Sequence, residues 1–258
     1  MKITQIRETE SAEAISVFNF ESFVEKIKVE TKARPVSGFR EALHYVLPGE
    51  PCHLSGKLPK IIPAVACGRV NGVKRMKAYN GIVELSVGPL AGKAEVEIVK
   101  KKAAELPQTK LAFMGSSGKT VKIWTYFTRP DGTLPQTQEE AEIFHAHAYR
   151  LAVKCYQPQL PFDIQMKEPL LDQYSRLSYD PELFYREDAV PFYLSQPFGM
   201  PAENSYREKT IAEKSPLSRA VPGYDTEDAL AVLYEAALRK TFEEMEDGWK
   251  RDDDLQPL

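Results

Sequence analysis

Three groups of residues have the types and spacing to do chemistry. Gly115-Ser-Ser-Gly-Lys-Thr120 has the composition of a glycine-rich loop that wraps backbone amides round a phosphate and adds a lysine. It fails the ATPase P-loop pattern: Phe113 stands where the first glycine is required, and the residues after Thr120 read as a strand, whereas a P-loop opens a helix. A turn of this composition between two strands still offers amides, hydroxyls and an ammonium group to an anion. Ser116, Ser117, Gly118 and Lys119 are therefore candidate phosphate ligands, with a plain turn as the alternative. The second group is basic. Residues 55–80 carry Lys57, Lys60, Arg69, Lys74, Arg75 and Lys77 without one acid, net +6, which suits nucleic-acid phosphates and equally suits a solvated strand edge. The third group contains Asp163 in Leu160-Pro-Phe-Asp-Ile-Gln-Met166, where an ionised carboxylate among apolar neighbours needs a partner such as a metal ion. Arg176 follows, and its guanidinium suits Asp163, Asp172 or a phosphate.

Other candidates drop out on spacing. His145 and His147 lie two apart on an expected helix, about 200° round its axis, so they share no metal face. Cys52, Cys67 and Cys155 form neither a zinc pattern nor a disulfide framework and are expected as buried thiols. Trp124 and Trp249 fit core or helix packing better than a base-stacking platform.

These residues require a scaffold, and its elements are partly legible. Asn19 and the Phe20, Phe23, Val24, Ile27 spacing predict a capped helix, and 37–47 predict a second, ended by Pro48-Gly49. Residues 60–70 read as extended. Residues 81–87 are β-branched and alternating and predict a strand that Gly88-Pro89 ends. A helix is expected over 91–106, a hairpin over 109–114 and 119–128 round turn 115–118, and a long helix over 136–157 with Ala141, Phe144, Ala148, Leu151, Ala152 and Cys155 on one face. Strand-like pieces recur at 160–166 and 190–193. The order lacks a βαβ rhythm, so the fold class expected is α+β with a mixed or antiparallel sheet.

The chain has 258 residues, 43% hydrophobic and 28% charged, which is globular composition. No run is long and apolar enough for a membrane span and the N-terminus is unlike a signal peptide, so a cytoplasmic protein is expected. Net charge is −3, unevenly spread: residues 225–258 hold eleven acids and four bases, net −7, leaving +4 on the first 224 residues. The expected organisation is a domain over 1–196, a proline-punctuated linker over 197–224, and an acidic C-terminal helix and tail over 225–258.

Four ordered segments resemble the VirE-type N-terminal domain of Bacteroides-group mobile elements, a primase-polymerase-like branch of the archaeo-eukaryotic primase superfamily. They are Lys57-Leu-Pro-Lys-Ile-Ile-Pro-Ala-Val65, Tyr79-Asn-Gly-Ile-Val-Glu-Leu-Ser-Val-Gly-Pro-Leu90, Ser116-Ser-Gly-Lys119 and Asp172-Gln-Tyr-Ser-Arg-Leu-Ser-Tyr-Asp-Pro-Glu-Leu-Phe-Tyr185. Together they cover roughly residues 20–195, and the last is the most specific. The resemblance implies a primase-polymerase-like α+β fold and two-metal nucleotidyl transfer. It also implies Ser116, Ser117, Gly118 and Lys119 as the phosphate-binding motif, beside the Arg176 already read as a candidate phosphate partner. The family's acid pair would fall on Ser86 and Gly88, so both carboxylates are missing. Glu84, on the same face two residues earlier, and Asp163 are the acids left to serve as catalytic metal ligands, for magnesium or manganese if activity remains.

The function expected is a primase-like module of mobile-element DNA replication, catalytically impaired. It would bind single-stranded DNA and a nucleoside triphosphate through the basic stretch, the 116–119 turn and Arg176, beside a helicase-like ATPase partner or downstream domain. The alternatives are a protein-interaction scaffold that docks its partner through the acidic tail, and a weak metal-dependent primase using Glu84 and Asp163.

Overall fold

The computed structural model describes residues 1–8, 13–46 and 52–195. The Pro48-Gly49 helix stop, the 197–224 linker, and the acidic helix and tail with Trp249 lie outside the described residues. The elements are β1 (Lys2–Glu8), β2 (Glu13–Asn19), α1 (Phe20–Lys28), α2 (Pro35–Leu43), the single turn α3 (Leu54–Lys57), β3 (Lys60–Ile62), β4 (Val65–Val70), β5 (Val73–Tyr79) and β6 (Ile82–Val87). There follow α4 (Lys93–Glu105), β7 (Thr109–Met114), β8 (Val121–Thr128), α5 (Gln138–Tyr156), β9 (Ser175–Arg176), β10 (Phe184–Tyr185) and β11 (Phe192–Tyr193). The class is α+β. No helix among the described residues is long and apolar enough to cross a membrane.

One antiparallel sheet runs β2-β1-β3-β9, and a second runs β6-β8-β7-β10, with β11 parallel to the end of β8. β4 and β5 form a separate two-stranded hairpin. The core joins both sheets through α1: Phe23 stacks on Trp124 at 5.0 Å between ring centroids, while Phe20 and Phe113 meet the same indole edge-on. Ile3, Ile61, Ile82, Leu111 and Leu177 close round these rings. Burying so many large apolar side chains stabilises by roughly 1.5–3 kcal/mol each before entropy is counted.

Differences from the sequence reading have local causes. β1 and β2 were not expected, because Ile3, Thr4, Gln5 and Ile6 are all buried and the strand lacks apolar alternation. Thr4 compensates with hydrogen bonds: its hydroxyl donates to the Val65 carbonyl at 2.7 Å and accepts from the Cys67 amide at 2.8 Å. Asn19 precedes α1 but its side chain caps nothing; β2 runs straight into the helix, and the Phe20 amide donates to the Met1 carbonyl. α2 starts at Pro35, two residues earlier than expected, since proline suits the first helical position and the Glu30 carboxylate accepts from the Val36 and Ser37 amides. The extended run at 60–70 is divided between β3 and β4, with the imide Pro63 between them. Residues 160–166 form no strand. They make one bridge, Ile164 to Val87, with the Gln165 amide donating to the Ser86 carbonyl at 2.7 Å and the Gly88 amide to the Asp163 carbonyl at 3.2 Å.

Candidate functional site

β6 carries the polar residues of the site, and β8 lies opposite in register, pairing Glu84 with Trp124 and Ser86 with Lys122. Residues directly opposite in an antiparallel pair share a face, so these four side chains meet. The Glu84 carboxylate, 7% exposed, accepts from Trp124 Nε1 at 2.8 Å and from the Ser175 hydroxyl at 3.0 Å, and lies 3.3 Å from the Lys122 ammonium. Lys122 Nζ also donates to the Ser86 hydroxyl at 3.1 Å, which in turn donates to Gln165 Oε1 at 3.0 Å. Burial pushes the Glu84 carboxyl up, but Lys122, Lys167 and the indole N–H outweigh it and hold the group ionised, below its ordinary range. Lys167 is pushed down by burial and by the neighbouring Lys122 charge.

A cavity of about 20 Å³, room for a water molecule, opens beside this cluster, lined in part by Glu84, His145, Tyr149, Lys167 and Gln173. His145 on α5 meets the Tyr79 hydroxyl at 3.1 Å through Nδ1. Burial holds the imidazole neutral, its pKa lowered to about 4, and pushes the phenol up.

The expected metal ligands are not gathered. Asp163 pairs through its main chain with Gly88, which follows the end of β6 and lies four residues from Glu84, about 13 Å of extended chain. Among the described residues its exposed side chain meets Gln157 alone, at 3.4 Å, while Glu84 is engaged by Lys122, Trp124 and Ser175. Gly88 sits at φ +137°, where a Cβ would meet the Lys119 carbonyl at 2.8 Å, so this backbone admits no acid there. Among the described residues no group of three His, Cys, Asp or Glu side chains is placed to hold a metal ion. The residues present do not fit a two-metal site.

The 116–119 turn is clamped from behind. Arg40 on α2 donates to the carbonyls of Gly115, Ser116 and Tyr179 at 3.0, 3.1 and 2.8 Å and to the Ser178 hydroxyl. Lys119 stays exposed, and the Ser117 hydroxyl accepts from its amide. Arg176 serves the fold through Nη1: it donates to the Leu58 carbonyl at 2.8 Å, and the guanidinium lies over the Tyr174 ring. The rest of the specific segment does likewise. Ser175 holds Glu84, Leu177 enters the core, and buried Asp180 pairs with Lys100 at 3.0 Å and accepts from the Met114 amide.

The six basic residues divide. Lys60 pairs with Glu8, Lys74 with Asp172 at 3.1 Å, and Arg69 donates to the Glu13 carbonyl at 2.7 Å. Lys57, Arg75 and Lys77 are exposed and in no ion pair among the described residues. Sequence reasoning missed Lys122, Lys167, Arg40 and the Tyr79–His145 pair. Only Lys122 left a signal, since strand register can set it opposite Ser86; the others meet the site through long-range folding.

Residues 53–185 match the family model described as BT4734-like, N-terminal domain. The chain belongs to the BT4734-like N-terminal domain family. The matched residues run from the start of α3 through β10 and include Glu84, Lys122, Lys167, Ser175 and the β4–β5 hairpin. β1, β2, α1 and α2 precede the match, so Arg40 clamps the BT4734-like segment from outside it. The match agrees with the Bacteroides-type family expected and carries neither the VirE nor the primase assignment. Searches of curated proteins and of solved structures returned no match.

Proposed function

We propose that this chain is a primase-like nucleic-acid- and nucleotide-binding module of mobile-element DNA replication that has lost metal-dependent nucleotidyl transfer. The primase and VirE parts of this reading rest on the resemblance of four sequence segments. The observation that carries the loss of chemistry is the Lys122 ammonium between Glu84 and Ser86. A carboxylate needed for a divalent cation is neutralised by a protein cation, and the next position, Gly88, excludes a side chain. Binding is supported by the free cations Arg75 and Lys77 on an acid-free stretch, and by the exposed Lys119 beside a turn rich in amides and hydroxyls. Arg176 helps position β9 against β3 through one nitrogen, and its part as a phosphate ligand stays within this reading.

The test is primer synthesis and extension on single-stranded templates with magnesium or manganese, beside binding of a labelled oligonucleotide and of a nucleoside triphosphate. The reading expects binding without incorporation. Incorporation abolished by Asp163→Asn would replace it with an active primase, and absence of any binding at low salt would remove it.

A further inference from the structure

The β4–β5 hairpin has two unlike faces. Val70 and Val73 are directly paired at its tip, so they share a face and make one apolar knob; each is half exposed, at 51% and 53%. Two positions along, Gly68 pairs with Arg75 on that same face, and the Lys77 chain lies across the glycine, filling the space a side chain would take. The pair between them, Arg69 and Lys74, points the other way and is tied down, Arg69 to the Glu13 and Gly72 carbonyls and Lys74 to Asp172. Asn71 and Gly72, at φ 51° and 78°, form the tight turn whose twist suits a two-residue hairpin. The tip is therefore held stiff from one face, while the other shows two valines followed by two free cations.

We propose that this free face is a nucleic-acid wedge: Arg75 and Lys77 hold phosphates while Val70 and Val73 insert against a base step at a junction between single and double strand. The proposal rests on the nucleic-acid-binding reading above and adds the element and the substrate form. Charge commits the occupant, because Arg75 and Lys77 stand exposed on this face in no ion pair among the described residues, and two such cations behind an apolar tip complement a polyanion with exposed base faces. An apolar wedge backed by cations is how proteins unstack a base step, with the phosphate contacts offsetting the cost of unstacking. A stiff tip loses little entropy on insertion.

The experiment uses the full chain and two labelled DNAs, a single strand and a fork with 2-aminopurine at its junction. The wild type is expected to brighten the 2-aminopurine and to prefer the fork. Val70→Ser/Val73→Ser is expected to bind the single strand within about twofold of wild type but to lose both the brightening and the preference, while Val70→Ile/Val73→Ile retains them. A serine variant that still brightens the fork overturns the wedge, as does single-strand binding by the wild type with no brightening. Failure of the wild type to bind either DNA at low salt overturns the nucleic-acid reading and the wedge together.

Discussion

Glu84 is the residue on which the site's electrostatics turn. Its carboxylate balances Lys122 in a water-poor space, so Glu84→Gln leaves a buried cation without its counter-charge and is expected to cost about 3 kcal/mol in urea unfolding. A loss below about 1 kcal/mol would contradict the buried pair. The folded carboxyl lies below its unfolded value of roughly 4.3, so this stabilisation is present above that pH and is lost as pH falls through the folded value. His145 acts higher on the scale. Neutral and buried, with its pKa lowered to about 4, it favours folding above its unfolded value of roughly 6.5 and withdraws up to about 3 kcal/mol as pH falls from there through the folded value. His145→Gln should flatten the decline in melting temperature between those pH values; an unchanged decline would mean that His145 does not drive it.

At the scale of elements, the Arg40 clamp joins α2, the β7–β8 turn and the segment after β9. Arg40→Ala removes the donor of four hydrogen bonds and is expected to cost about 2–3 kcal/mol, with faster amide exchange confined to residues 115–120 and 178–180. Uniformly faster exchange throughout would show that Arg40 supports the whole fold instead of this turn. Elements were legible where local pattern and tertiary role agree. Phe20, Phe23, Val24 and Ile27 read as a helix because their spacing is their packing; β6 and the β7–β8 hairpin read as strands because β-branched residues meet turn residues. β1 was illegible because Thr4 and Gln5 are buried through hydrogen bonds made far along the chain. The Asn71-Gly72 turn did carry a signal that composition obscured under the lysines around it.

Across the molecule, the candidate site was half legible. Ser86 and Gly88, standing where the resemblance implies an acid pair, were visible in sequence. That Lys122 lies between Glu84 and Ser86, that Arg176 donates to the Leu58 carbonyl and that Asp163 stands apart from Glu84 were not, because each depends on which strands become neighbours. The function proposed is nucleic-acid binding through exposed cations, with Glu84 and Ser86 held by Lys122. The most direct measurement is fluorescence anisotropy of a labelled single-stranded oligonucleotide against salt, for wild type and Arg75→Ala/Lys77→Ala. We predict salt-sensitive binding without added metal, and a loss of about 1.4 in the slope of log affinity against log salt in the double variant, at unchanged melting temperature. Salt-independent binding, or a slope the variant leaves intact, would contradict the account.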